Sequence, residues 1–189
     1  MAFVPDYPLT TGRLVLRPFT RGDVDAVFAY RQREDVARYL FDEPMSRESC
    51  AEAVQGRVGQ FGFDMDGDKI FLAVERARDR AMIGEVSLIL RDIEAMQVEL
   101  GYIFHPGFHG RGYATEAGQA LLALGFAGAG AHRIYARCDA RNTASARVME
   151  RLGMRREAHF REHRVVKGNW ADELIYAVLE SEWRNAHSG

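Results

Sequence analysis

The sequence predicts an α+β (mixed α/β) fold, with a mixed, mostly antiparallel sheet of about seven strands flanked by about four helices. Three observations predict it. Short apolar runs bounded by turn residues recur at strand length, as at 69–75 and 97–104. Between them, Ala114, Ala117, Leu121 and Leu124 recur at helical spacing. The order is strand, two helices, three strands, helix, strand, helix, two strands, which contains one βαβ crossover, from 97–104 to 132–138.

Each element has its own signal. Leu14 and Leu16 fall at strand spacing between Arg13 and Arg17, and the run stops at Pro18, which cannot donate to a ladder, so 13–17 reads as a short edge strand. Thr20 or Asp23 can cap a helix whose apolar face is Val24, Val27 and Phe28. A second helix starts at Ser46 and runs toward Val58. The three strands 69–75, 81–91 and 97–104 form a meander, with Gly84 placed for a bulge. A glycine-rich stretch, 105–112, leads into the helix. The strand 132–138 and the helix 142–152, closed by Gly153, follow. Two final strands, near 154–166 and 172–179, are joined by a hairpin turn at Lys167-Gly168-Asn169. There is no internal repeat or linker, so 1–189 reads as one domain with a core of about 9–183.

Composition narrows the function classes. With 189 residues, 47% hydrophobic and 28% charged, the chain can fill a core and solvate its surface. A net charge of −2 argues against a surface built to coat nucleic acid or an anionic membrane. Residues 1–9 have neither the basic nor the apolar segment of a signal peptide, and no apolar run approaches the ~18 residues a membrane helix needs. The simplest expectation is a cytoplasmic protein. Cys50 and Cys138 are too few and too far apart for a disulfide framework. The pairs His105/His109 and His159/His163 have helical ligand spacing, but the first brackets Pro106 and Gly107 and the second falls in a strand, so no metal is expected.

The main chemical signal is His109-Gly110-Arg111-Gly112-Tyr113-Ala114, between a strand and a helix. Glycines at 110 and 112 permit positive φ, and successive N–H groups at a helix N-terminus make an anion site suited to a diphosphate, with Arg111 adding charge at the rim. The alternative is a flexible connection without a ligand. A P-loop would need Lys-Ser or Lys-Thr after its last glycine, where Tyr113 stands, and the spacing of Gly107, Gly110 and Gly112 does not fit the dinucleotide fingerprint.

At this loop the sequence resembles the GCN5-related N-acetyltransferase (GNAT) family, whose acetyl-coenzyme A loop reads Gln/Arg-x-x-Gly-x-Gly/Ala. Glu99-Leu100-Gly101-Tyr102 before the loop, Tyr113-Ala114-Thr115-Glu116-Ala117 after it and the stretches 141–154, 11–17 and 170–183 resemble the branch that includes ribosomal-protein-alanine N-acetyltransferases. The resemblance implies the acyl-CoA N-acyltransferase fold, with the sheet splayed at its centre between the strands matching 97–104 and 132–138. It implies acetyl-CoA as cosubstrate, its pantetheine arm in the gap. The amides of Gly110, Arg111, Gly112, Tyr113 and Ala114 would hold its diphosphate, His109 would stand at the first loop position, and Asn142 would hydrogen-bond near the thioester. The implied reaction is direct transfer of an acetyl group to a primary amine, either a protein N-terminus or a small molecule. A non-catalytic acyl-CoA sensor is the alternative. Family members are often homodimers, but nothing in the sequence decides oligomeric state.

The chain departs from the family pattern in three places. His109 replaces Gln or Arg and carries full charge only below about pH 6.5. Many relatives place a proton-donating Tyr seven residues after the Asn, where Met149 stands here. The ribosomal branch uses a Ser three residues after it, which makes Ser145 the expected donor to the leaving thiolate. Glu99, on the strand entering the loop, is the expected base through a water; its alternative is a salt-bridged carboxylate. The Glu that the branch carries on the strand after Gly153 falls here on Arg164, with Glu162 as a secondary candidate.

Other residues carry bland readings. Tyr102 and Phe104 read as core, Glu116 as support for the helix dipole and Cys138 as a small buried residue. Trp170 and Tyr176 either line the acceptor cleft or pack. Phe28, Tyr30, Tyr39 and Phe41 fall where the family shapes its acceptor site.

Overall fold

A computed structural model describes residues 3–40 and 42–187. Its centre is an eight-stranded sheet in the order β1-β2-β3-β4-β5-β6-β8-β7. The strands are β1 (Leu9–Thr10), β2 (Leu14–Pro18), β3 (Lys69–Arg76), β4 (Met82–Asp92), β5 (Gln97–Phe104), β6 (Arg133–Asp139), β7 (Arg155–Val166) and β8 (Asn169–Leu179). All neighbours pair antiparallel except β5 and β6, which are parallel. The helices are α1 (Val24–Arg31), α2 (Glu34–Ala37), α3 (Arg47–Arg57), α4 (Tyr113–Ala123), α5 (Thr143–Arg151) and α6 (Glu180–His187). None is long and apolar enough to cross a membrane.

The extra strand relative to expectation is β1, two residues outside β2, too short for a periodic signal. The extra helices are α2, a single turn, and α6, which was expected only as a chain end. The caps follow the expected chemistry. Asp23 accepts from the amide of Thr20 at 2.7 Å ahead of α1, and Ser46 Oγ accepts from the amide of Ser49 at 3.1 Å to start α3.

Strand alternation sorts side chains onto two faces. Val86, Leu88 and Leu90 of β4, with Val98 and Leu100 of β5, join the larger core under α4 and α5. Phe71, Ala73, Met82 and Ile103 point the other way and pack with Val27, Tyr30, Cys50 and Val54 from α1 and α3. Gly84 is required by close approach: a Cβ there would lie 2.5 Å from the carbonyl oxygen of Ile103 and 2.8 Å from the Phe104 ring. The bulge expected near it is present, where the register slips at Val74/Glu75 and the partner jumps from Gly84 to Met82.

The β7–β8 hairpin crosses back to the start of the chain. Lys167 Nζ donates to the Ala37 carbonyl oxygen at 2.8 Å and lies 3.7 Å from Glu43 Oε2.

Candidate active site

β5 and β6 are joined for three residues only: Gln97 with Arg133, Val98 with Ile134 and Glu99 with Tyr135. β5 continues to Phe104 paired on its outer side with β4, and β6 continues to Asp139 paired on its outer side with β8. Their inner edges therefore diverge into a fork, the central splay the sequence resemblance implies. Backbone donors and acceptors along such edges need partners, and an extended guest can supply them as another strand would.

The glycine loop closes the mouth of the fork. After one helical turn at Pro106–Phe108, Gly110 and Gly112 take φ of +73° and +78°, the left-handed region that favours glycine. The turn leaves the N–H groups of Gly110, Arg111, Gly112, Tyr113 and Ala114 without an acceptor among the described residues. The last two belong to the first turn of α4, where no intrahelical partner exists and the helix dipole favours an anion. Gly110, Arg111, Gly112 and Thr115 line an open cleft of about 1010 Å³ together with Arg13 and Arg151.

Glu116 anchors this loop to the β1–β2 turn. It accepts from Thr11 Oγ1 at 2.5 Å and from the Arg13 amide at 2.8 Å, and it pairs with the Arg13 guanidinium at 2.6 Å. Arg13 in turn donates to the Arg111 carbonyl oxygen at 3.0 Å and lies over the Tyr113 ring. A structural role for Glu116 was the reading from sequence.

His109 is engaged by the protein's own backbone. Its Nε2 stands 2.9 Å from the Phe104 carbonyl oxygen, which can only accept, so Nε2 carries the proton. In the neutral ring Nδ1 then presents a lone pair, which repels an anion. The His109 amide is also spent, on the Pro106 carbonyl oxygen at 3.0 Å. His109 therefore ties the loop to the end of β5.

Asn142 caps α5, its Oδ1 accepting from the Ser145 amide at 3.1 Å. This leaves its amide nitrogen as the group for a ligand. Met149 is fully buried under the same helix. Ser145, on the first turn, meets both arms of the fork. From β5, Tyr102 Oη lies 2.8 Å from Ser145 Oγ and 2.9 Å from the Ser145 carbonyl oxygen. From β6, burial pushes the Cys138 thiol up to about 11, with the neighbouring Ser145 pulling the other way. Tyr102 is thus a polar contact as well as core, which alternation along the strand could not reveal because its partner lies 43 residues away.

On the opposite face, Glu99 sits at the apex of the fork in the salt-bridged arrangement. Its oxygens accept from Arg91 Nε at 2.8 Å, Arg137 Nε at 2.7 Å and Tyr135 Oη at 3.3 Å. Burial alone would raise its proton affinity, but the Arg137 and Arg91 hydrogen bonds and charges outweigh it and hold the carboxyl below its ordinary range. That makes Glu99 a weak proton acceptor. Glu173 extends the network, with Arg137 at 3.4 Å, Arg164 at 3.1 Å and His163 at 3.4 Å. Glu162 lies on β7, at the sheet edge and two strands from the fork, exposed at a bulge with φ +48°.

Sequence reasoning did not single out Glu85, a buried carboxylate on the same face. It accepts from Tyr30 Oη at 3.0 Å and from both Arg57 nitrogens, at 2.5 and 3.0 Å. A charged residue between Gly84 and Val86 inside an apolar strand was its signal. Of the aromatic residues expected near the acceptor, Tyr30 is buried on Glu85, Phe28 and Tyr39 are half-buried, and Phe41 lies outside the described residues. Tyr176 packs under α5 against Glu150, and Trp170 is exposed.

A fork beside a row of unengaged amides suits an extended ligand with an anionic end, and comparison with known proteins gives the family. The profile of the acetyltransferase (GNAT) domain matches residues 13–155, and the chain belongs to that family. An uncharacterized N-acetyltransferase of Bacillus subtilis, YnaD, is 36% identical over 176 residues, covering 93% of this chain and 98% of that protein. A GNAT-family acetyltransferase structure from Bacillus anthracis superposes with a TM-score of 0.84 at 32% identity, over 93% of this chain and 99% of that one. The fold is shared with spermidine N-acetyltransferase of Vibrio cholerae, solved with CoA and spermine, at a TM-score of 0.78 and 24% identity over 92% and 99% of the two chains.

Proposed function

We propose that this protein moves an acetyl group from acetyl-CoA directly to a primary amine, on a protein N-terminus or a small molecule. The observation that carries the reading is the row of five unengaged N–H groups at 110–114 beside the open end of the fork. The residues present fit the cosubstrate. Backbone donors suit a diphosphate, and the diverging strand edges suit the amide-bearing pantetheine arm. The V. cholerae relative named above was solved with CoA, which supports the same occupant here.

Acetyl-CoA supplies an activated thioester, and the chain supplies placement. Gly110, Arg111, Gly112, Tyr113 and Ala114 hold the anionic end, and Asn142 orients the arm near the thioester. Holding two reactants in line can supply much of the rate. Ser145 gives a proton to the departing sulfur. Glu99 stays charged through neutral pH and, through a water, favours loss of the acceptor's proton to solvent. Its low proton affinity leaves the acceptor's own ammonium to set the rising limb of the pH profile.

Calorimetry with acetyl-CoA, followed by thiol release against a panel of amines, tests this. Binding together with amine-dependent release of CoA is expected. Binding without release from any amine would favour a sensor of acyl-CoA, and no binding would remove both readings.

A further inference from the structure

We propose that Tyr102 is a positioning residue for the transfer, holding the Ser145 hydroxyl over the fork and restoring its proton as that hydroxyl protonates the departing sulfur. The proposal rests on the acetyl-transfer reading above.

Geometry leads to it. Tyr102 lies on β5 beyond the last paired residue, Glu99, and so on one free arm of the fork. Cys138 lies on the other arm, and Ser145 on the helix that follows it. The phenol therefore spans the opening on the α4–α5 face to reach Ser145, at 2.8 Å from Oγ and 2.9 Å from the carbonyl oxygen. Two hydrogen arrangements are available. In one the phenol donates to the Ser145 carbonyl oxygen and accepts from Oγ; in the other it donates to Oγ, and the serine proton is free to point into the fork.

Acidity supplies the second reason. An alkyl hydroxyl is a far weaker acid than a thiol, so a serine that gave its proton to a thiolate unaided would become an alkoxide much more basic than the group it served. A phenol is by nature a much stronger acid than an alkyl hydroxyl, so Tyr102, even pushed up by burial, is the better final donor. As the C–S bond breaks, its electron pair goes to sulfur. The Ser145 proton moves to sulfur and the Tyr102 proton to Ser145 Oγ, leaving a tyrosinate that solvent reprotonates after the product leaves. Burial pushes the Tyr102 phenol up while its bond to Ser145 pulls the other way, and its titratable neighbour is the Cys138 thiol on β6.

Single-turnover acetylation of a responsive amine by Tyr102→Phe is the test. Turnover is expected to fall ~10- to 100-fold, with acetyl-CoA affinity changed less than about threefold. The proton inventory in H₂O/D₂O mixtures should be curved in wild type and linear in the variant. Replacing Tyr102 by 3,5-difluorotyrosine should keep activity and move the alkaline limb of the rate profile down by the acidification of the phenol. Tyr102→Phe turnover within twofold of wild type, or an alkaline limb unmoved by fluorination, would overturn the role of Tyr102 alone. Wild type that releases no thiol with any amine would overturn the acetyl-transfer reading as well.

Discussion

The two ends of the β5–β6 pair are built on opposite principles. At the closed end, residues 97–99 and 133–135 are joined by a ladder, and charges around Glu99 are matched by guanidinium groups. At the open end the same strands no longer pair with each other, and the loop beyond leaves five amides without an acceptor among the described residues. Buried polar groups are ordinarily satisfied, so the closed end is what a stable sheet requires. At the open end Gly110, Arg111 and Gly112 are exposed, so water can serve their amides until an anionic ligand takes its place. Rigidity at the apex makes the opening affordable, because the arms diverge from a fixed point.

Substitutions at each end can break or sharpen that contrast. The largest effect belongs to the open end: Ser145→Ala should lower turnover ~100-fold while acetyl-CoA affinity in calorimetry stays within about threefold. Parallel losses in both would turn Ser145 into a binding residue. Next, Gly112→Val forces a β-branched residue to φ near +78°. The strain of about 2 kcal/mol should weaken acetyl-CoA binding ~30-fold, and unchanged affinity would detach the loop from the cosubstrate.

The closed end should respond in stability. Glu99→Gln is expected to cost about 1–2 kcal/mol in urea unfolding, less than a fully buried pair because Arg91 and Arg137 keep 39% and 28% of their side-chain surface exposed. The pH dependence has a definite sign. Glu99's folded pKa is depressed, so its contribution is complete above the ordinary carboxylate pKa, about 4.3, and fades as pH falls through the lower folded value. Wild type should therefore lose its advantage over Glu99→Gln below about pH 4, and a constant difference down to pH 2 would contradict the ion-pair account. The smallest effect is Glu116→Ala, at roughly 1 kcal/mol by thermal melting, with a modest loss of acetyl-CoA affinity as the loop loses its tie to Thr11 and Arg13.

Much of this was legible in the chain of residues alone. The β5 limits, the caps at Thr20/Asp23 and Ser46, the positive-φ glycines and the central splay follow from local signals or from the family resemblance. What escaped was long-range and polar. Glu99 is one residue in sequence, but its chemistry is decided by Arg91 on β4 and Arg137 on β6. His109 fits a loop pattern, but a single backbone carbonyl, that of Phe104, sets its tautomer. Tyr102 obeys strand alternation, and only the folded chain brings Ser145 to its hydroxyl. Patterns of period two or 3.6 place side chains on faces and carry no information about which partners arrive there from elsewhere.

The bond from Lys167 to the Ala37 carbonyl joins the tip of the last hairpin to the second helix, 130 residues earlier. One flank of the molecule is therefore assembled from the two extremes of the chain and must be inherited as a unit. A hybrid that takes its first quarter from one homologue and its hairpin from another would carry two halves of a seam cut to different patterns.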